Sequence, residues 1–116
     1  MAEAKPVVDL VHLARYTGGD VALNNEILRL FDTQTSEMVD QLRAVLDAAD
    51  AKTWKEITHT LKGAARGIGA FTLGDAAAFA EPIDVTRDRT NAAAAIDAMK
   101  VQAVAVQDFI RSYIAG

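Results

Sequence analysis

Between Ile57 and Ala70 the chain reads ITHTLKGAARGIGA: a histidine, a lysine one helical turn later, and glycines at 63, 67 and 69. An imidazole with the ordinary pKa near 6.5 is largely neutral in water at pH 7 and can act as a nucleophile. An ammonium group three residues on can attract an anion and steady the charge that develops during a transfer. Glycine inside a helix costs roughly 1 kcal/mol relative to alanine, and this chain has alanine in plenty. Gly63 follows His59 by four residues, so it shares the same face one turn on. With no side chain there, an anionic group on the imidazole has room and a partner's surface can come close. Gly67 reads as a residue for helix termination and close packing, and Gly69 chiefly as the turn into the next helix.

The direction of His59 follows from a helical wheel. At about 100° per residue, Trp54, Ile57, Leu61, Ala64, Ala65 and Ile68 fall within one arc of roughly 100°, which is the buried side. His59 lies opposite the centre of that arc, in solvent. Lys52, Lys55, Lys62 and Arg66 fall within about 60° of it, and Glu56 is the only acid nearby on this helix. Charged faces are most often simply solvated. A basic face centred on an imidazole, in a chain of formal net charge −4, is a more pointed arrangement.

Several helices must position this face. Half the residues are hydrophobic, but much of that share is alanine and only 6% of the chain is aromatic. Small side chains let helices approach toward the short end of the roughly 8–10 Å range. Strand signals are nearly absent. VVDLVHLARYTGG predicts a short first helix with Leu10, Leu13 and Ala14 on one side, stopped by Gly18 and Gly19. Asp20 caps a second helix whose apolar stripe runs through Leu23, Ile27, Leu30, Phe31, Met38, Leu42, Val45 and Leu46 to about Ala49.

Asp50 caps the helix of His59. Thr72 with Asp75 resembles a capping box and predicts a fourth helix opening at Leu73. Pro82 lacks an amide donor and ends that helix. PIDVTRDRT reads as a polar connection, and a last helix from near Asn91 carries Ile96, Met99, Ala103, Val106, Ile110 and Tyr113 inward. The expectation is all-α: an antiparallel four-helix bundle with a short additional N-terminal helix capping one end. It forms one domain over 1–116, with 1–6 flexible. Trp54 belongs to the core, His12 to the surface, and Tyr16 and Phe31 join the first helix to the bundle.

The exclusions are short. Without cysteine there is no disulfide or zinc–thiolate site. The N-terminus lacks the pattern of a signal peptide, and no run approaches the roughly 20 apolar residues of a membrane span. A cytoplasmic protein is expected, and the negative net charge argues against nucleic acid as a partner.

HTLKGAARGIG is similar to the signature of histidine-containing phosphotransfer (HPt) domains, matching at His59, Lys62, Gly63 and Gly69, with Leu61 in the apolar place between. TGGDVALNNEILRLF resembles the segment that opens the first long helix of these domains, and the likeness covers essentially the whole chain. The resemblance implies a phosphorelay carrier that takes a phosphoryl group from a receiver-domain aspartate onto His59 and passes it to another. Such a carrier has no kinase activity of its own and is a monomer. It holds no cofactor, and magnesium is supplied by the receiver, which belongs to a response regulator or hybrid histidine kinase. In the family a glutamine or glutamate about twenty-two residues on bonds the other ring nitrogen. Glu81 stands at that spacing, and Pro82 directly after it departs from the pattern. Lys62 is implied to stabilise the phosphate. Gly63, Arg66, Lys55, Lys52 and Gly69 are implied to meet the docking partner.

Other readings remain open. A chemotaxis-kinase-type phosphotransfer domain acting with a separate kinase chain shares the motif. A non-phosphorylated helical adaptor would use the basic face for docking alone. A metal-binding bundle needs inward carboxylates and histidines in a Glu-x-x-His arrangement, which is not found here. An autophosphorylating dimerisation helix would follow its histidine with an acid and soon a proline, whereas Thr60 follows His59.

Overall fold

Aspartate at a helix start is the commonest device in this chain, because its carboxylate can accept one of the first backbone N–H groups, which have no partner within the helix. A computed structural model describes residues 6–116, so all but Pro6 of the stretch expected to be flexible lies outside the described residues. Five helices are described: α1 (Leu10–Thr17), α2 (Val21–Asp47), α3 (Ala51–Gly67), α4 (Phe71–Ala80) and α5 (Arg89–Ala115). Asp9, Asp20, Asp50 and Asp88 cap α1, α2, α3 and α5, accepting from the amides of His12, Leu23, Thr53 and Asn91 at 3.0–3.3 Å. The last helix therefore begins two residues before the expected Asn91, since Asp88 is its cap and Asn91 the residue it binds.

α4 departs from expectation. It opens at Phe71 rather than Leu73, and Ala70 makes no side-chain capping bond, so Thr72 and Asp75 form no capping box. The chain is turned instead by its own backbone, through Gly69 N–H to Arg66 O and Ala70 N–H to Ala65 O. Thr72 is thereby already inside the helix, and the Asp75 carboxylate lies 3.6 Å from the Arg66 guanidinium.

Contacts run from α2 to α3, α3 to α4, α4 to α5 and α5 back to α2, closing a ring of four helices. The three-residue connections 48–50 and 68–70 leave neighbours no choice but to run antiparallel. α1 lies against α2 and is tied to the α3–α4 turn by the Asp9 N–H, which donates to Gly69 O at 2.9 Å. Leu28, Leu42, Trp54, Leu61, Leu73, Ile96, Met99 and Ile110 form the centre of the core, each 1% exposed or less.

The expected stripe on α2 holds at Ile27, Phe31, Met38, Leu42, Val45 and Leu46, which pack in or against the core, but not at its other two positions. Leu30 and Leu23 face solvent, while Asn24, Leu28, Thr35 and Val39 are buried. Asn24 donates to the Tyr113 hydroxyl at 3.1 Å, which joins the start of α2 to the end of α5. Phe31 is buried as expected, whereas Tyr16 is exposed and His12 is half-buried, edge-on to Phe71 and Tyr16 with ring centroids 5.0 and 5.6 Å away. The connection 81–88 is less polar than it reads, because Val85 is fully buried.

Gly69 has φ +86°, and a Cβ on it would stand 2.6 Å from the Asp9 carbonyl oxygen. Gly69→Ala must therefore adopt a left-handed backbone and also displace the segment before α1. Together with weakening of the Asp9 bond, a loss of about 2–4 kcal/mol is expected. Urea unfolding measures it, and a change below 1 kcal/mol would show that the turn yields freely.

Candidate functional site

The outward face of α3 holds the residues that can do chemistry, and α4 supplies what α3 lacks. Trp54, Ile57, Leu61, Ala65 and Ile68 are buried, as the wheel requires, with Thr58 beside them returning its hydroxyl to Trp54 O at 2.9 Å. Ala64 is only half-buried. The His59 side chain on the opposite side is 69% exposed. α4 ends at Ala80 because Pro82 cannot continue it, and this end delivers Glu81 to His59.

The His59 Nδ1 lies 2.7 Å from Glu81 Oε1, and the Lys62 ammonium donates to both carboxylate oxygens, at 3.3 and 3.0 Å. Pro82 does not displace Glu81. The acid nearest His59 is thus Glu81, not the Glu56 of its own helix, because a wheel of one helix cannot display what a neighbour brings. Glu81 is held below its ordinary value of 4.5, first by the hydrogen bond from Lys62 and then by that from His59. Ionised at pH 7, this carboxylate can only accept, so Nδ1 carries a hydrogen, and in the neutral ring Nε2 is the nitrogen with the lone pair. Nε2 is then the nitrogen left to solvent.

The acid dependence of this bridge has a definite sign. A carboxyl with a lowered native value contributes its full stabilisation above its unfolded value, and loses it as pH falls through the native one. Carbon NMR of the Glu81 carboxyl should give a midpoint below 4.5. Lys62→Met, which keeps the stem and removes the donor, should move that midpoint upward. A native midpoint at or above 4.5 contradicts the bridge.

The remaining sequence candidates separate. Gly63 is exposed, and a Cβ there would meet nothing within 4 Å. Lys52 and Lys55 are exposed on the same helix. Arg66 is half-exposed, turned toward Asp75, and its stem crosses Gly74, where a Cβ would come within 2.8 Å of Arg66 Cγ. Gly69, grouped with the docking positions, is buried under the segment before α1 and is no part of the open face. Gly67 does not serve close packing, since a Cβ there would also meet nothing. Gly67 instead borders an open apolar hollow of about 300 Å³ with Leu13, Tyr16, Ile27, Ala64 and Ile68. Sequence reasoning missed this hollow and the role of Gly74, because each depends on how two or three helices meet. Among the described residues, no group of three or more His, Cys, Asp or Glu could hold a metal ion.

Among the described residues the bundle has no strand, and it turns His59 outward with the second ring nitrogen held by a carboxylate and bare backbone one turn on. Residues 26–109 match the family model of the Hpt domain, and the chain belongs to that family. With this membership goes a histidine phosphotransfer role in phosphorelays, and Hpt domains interact with receiver domains of two-component systems. The fold is also that of the crystal structure of histidine-containing phosphotransfer protein B (HptB) from Pseudomonas aeruginosa PAO1. The TM-score is 0.83 at 23% identity, covering 94% of this chain and 95% of that one. No curated protein sequence matches the chain. None of the described helices is long and apolar enough to cross a membrane.

Proposed function

We propose that this chain carries a phosphoryl group on His59 Nε2 between receiver-domain aspartates of a cytoplasmic two-component phosphorelay, acting as a monomer. The observation that carries the reading is the outward ring, whose Nδ1 faces Glu81 at 2.7 Å and so leaves Nε2 as the free nucleophile. The Nε2 lone pair attacks the phosphorus of a receiver's aspartyl phosphate. A P–N bond forms as the P–O bond to the aspartate breaks, and the electron pair of that bond returns to the carboxylate. The ring becomes cationic, and its Nδ1–H, still donated to Glu81, spreads that charge onto a carboxylate. The reverse steps deliver the group to a second receiver.

The other residues take supporting roles. Lys62, one turn from His59, can exchange an oxygen of Glu81 for an oxygen of the phosphoryl group and offset its charge. Lys52, Lys55 and Arg66 meet the acidic rim of a receiver's pocket and speed encounter. Gly63 lets the receiver backbone approach, and the apolar hollow bordered by Ala64 and Gly67 accepts an apolar side chain of the partner. Magnesium for the exchange would be brought by the receiver and would offset the charge of the phosphoryl group there.

The reading is tested by mixing the protein with a phosphorylated receiver and mapping the product. The label should be acid-labile and base-stable, and should lie on His59. A chain that binds the receiver but gains no such label is an adaptor, and the carrier reading is then wrong.

A further inference from the structure

Trp54 stands five residues before His59 on α3 and is 1% exposed. Its indole Nε1–H donates across the helix seam to the Ala80 carbonyl at 2.9 Å. That carbonyl and the Glu81 nitrogen belong to one peptide unit. The Glu81 N–H donates to Ala77 O at 3.0 Å, and Ala80 O accepts a second bond, from Ile83 N–H, at 3.1 Å. One rigid peptide plane is thus pinned at both ends, and one of its three bonds comes from the helix that carries His59. Glu81 stays in the right-handed helical region, at φ −55° and ψ −46°, which the following Pro82 disfavours, so these bonds must hold it there.

The consequence lies in where Glu81 can reach. Its carboxylate is joined to this plane by a short side chain and must meet an imidazole that is mostly in solvent. The Lys62–Glu81 bridge and the Arg66–Asp75 pair also cross the seam, but the first is only partly shielded from water and the second is half-exposed, so water competes at both. The indole bond is buried, and so holds its geometry without that competition. We infer that Trp54 is a positioning residue: through the Ala80–Glu81 peptide it sets the height of the carboxylate against His59, and with it the proton on Nδ1. This rests on the reading of His59 as the reacting group, but its test does not require phosphate.

The test is nitrogen NMR of the His59 ring in the unphosphorylated protein, at a pH where the ring is neutral. The native chain should show mainly the Nδ1–H form. Replacing Trp54 by benzothienylalanine keeps the bicyclic shape and puts sulfur in place of the N–H. The Nε2–H form should then rise several-fold, as it should in Trp54→Phe. Val106→Ala, a core change on α5, should lower stability and leave the tautomer ratio unaltered. A folded Trp54 variant with the native ratio overturns the inference.

If neither Trp54 variant folds, the native protein still decides the matter. In a urea series below unfolding, tautomer averaging should set in with the opening that exposes the indole N–H to exchange. Averaging that begins while this N–H stays protected overturns the inference equally. Absence of label on His59 counts against the carrier reading alone. Label on His59 with a native tautomer ratio in a folded Trp54 variant counts against the role of Trp54 alone.

Discussion

His59→Gln should accept no phosphoryl group from a phosphorylated receiver, with label falling to background while the receiver still binds. An amide nitrogen has no free lone pair to offer, so the nucleophile is gone, whereas the side chain keeps polarity and can still donate to Glu81. The substitution sits on a ring that is 69% exposed, and glutamine has the better helix propensity. Stability should therefore stay within about 0.5 kcal/mol of the native chain. Competition makes the result decisive: the variant should slow labelling of the native protein by occupying the receiver. Label on the variant would remove His59 from the mechanism.

Gly63→Leu should separate folding from function more sharply. A Cβ at this position meets nothing within 4 Å, and leucine is close to alanine in helix propensity. The variant should thus be more stable by roughly 0.5–1 kcal/mol, read from the midpoint of urea unfolding. Transfer from the receiver should nevertheless fall about 100-fold, because a branched side chain one turn beyond His59 holds the two reacting atoms apart. The opposite signs matter. A glycine kept for packing would give loss of stability, and a glycine without a role would give the gain in stability with transfer intact.

The α3 helix was the most legible part of the chain. Its cap at Asp50, its buried arc and the outward direction of His59 follow from composition and a 3.6-residue period, both local properties. The HxxKG pattern was equally local. α2 was less legible, since the buried Asn24 and Thr35 carry no apolar signal, and Leu30 carries one while facing water. The start of α4 misled because Thr72 and Asp75 have the letters of a capping box, while the backbone turn at Gly69 had already begun the helix.

Glu81 illustrates the boundary between the two kinds of information. Its spacing from His59 suggested a partnership only by resemblance, and nothing local could show whether Pro82 would spoil it. What the chain's order of residues determined alone is the set of helices, their ends where aspartate and proline mark them, and one imidazole turned outward over a bare turn. Which nitrogen of that imidazole is free was decided by the meeting of α3 and α4, as were the hold of Glu81 on Lys62, the burial of Gly69 and the reach of the Trp54 N–H. The physical reason is range: periodicity and capping act within a few residues, whereas a hydrogen bond spanning twenty-two residues exists only once two helices have packed at one particular offset.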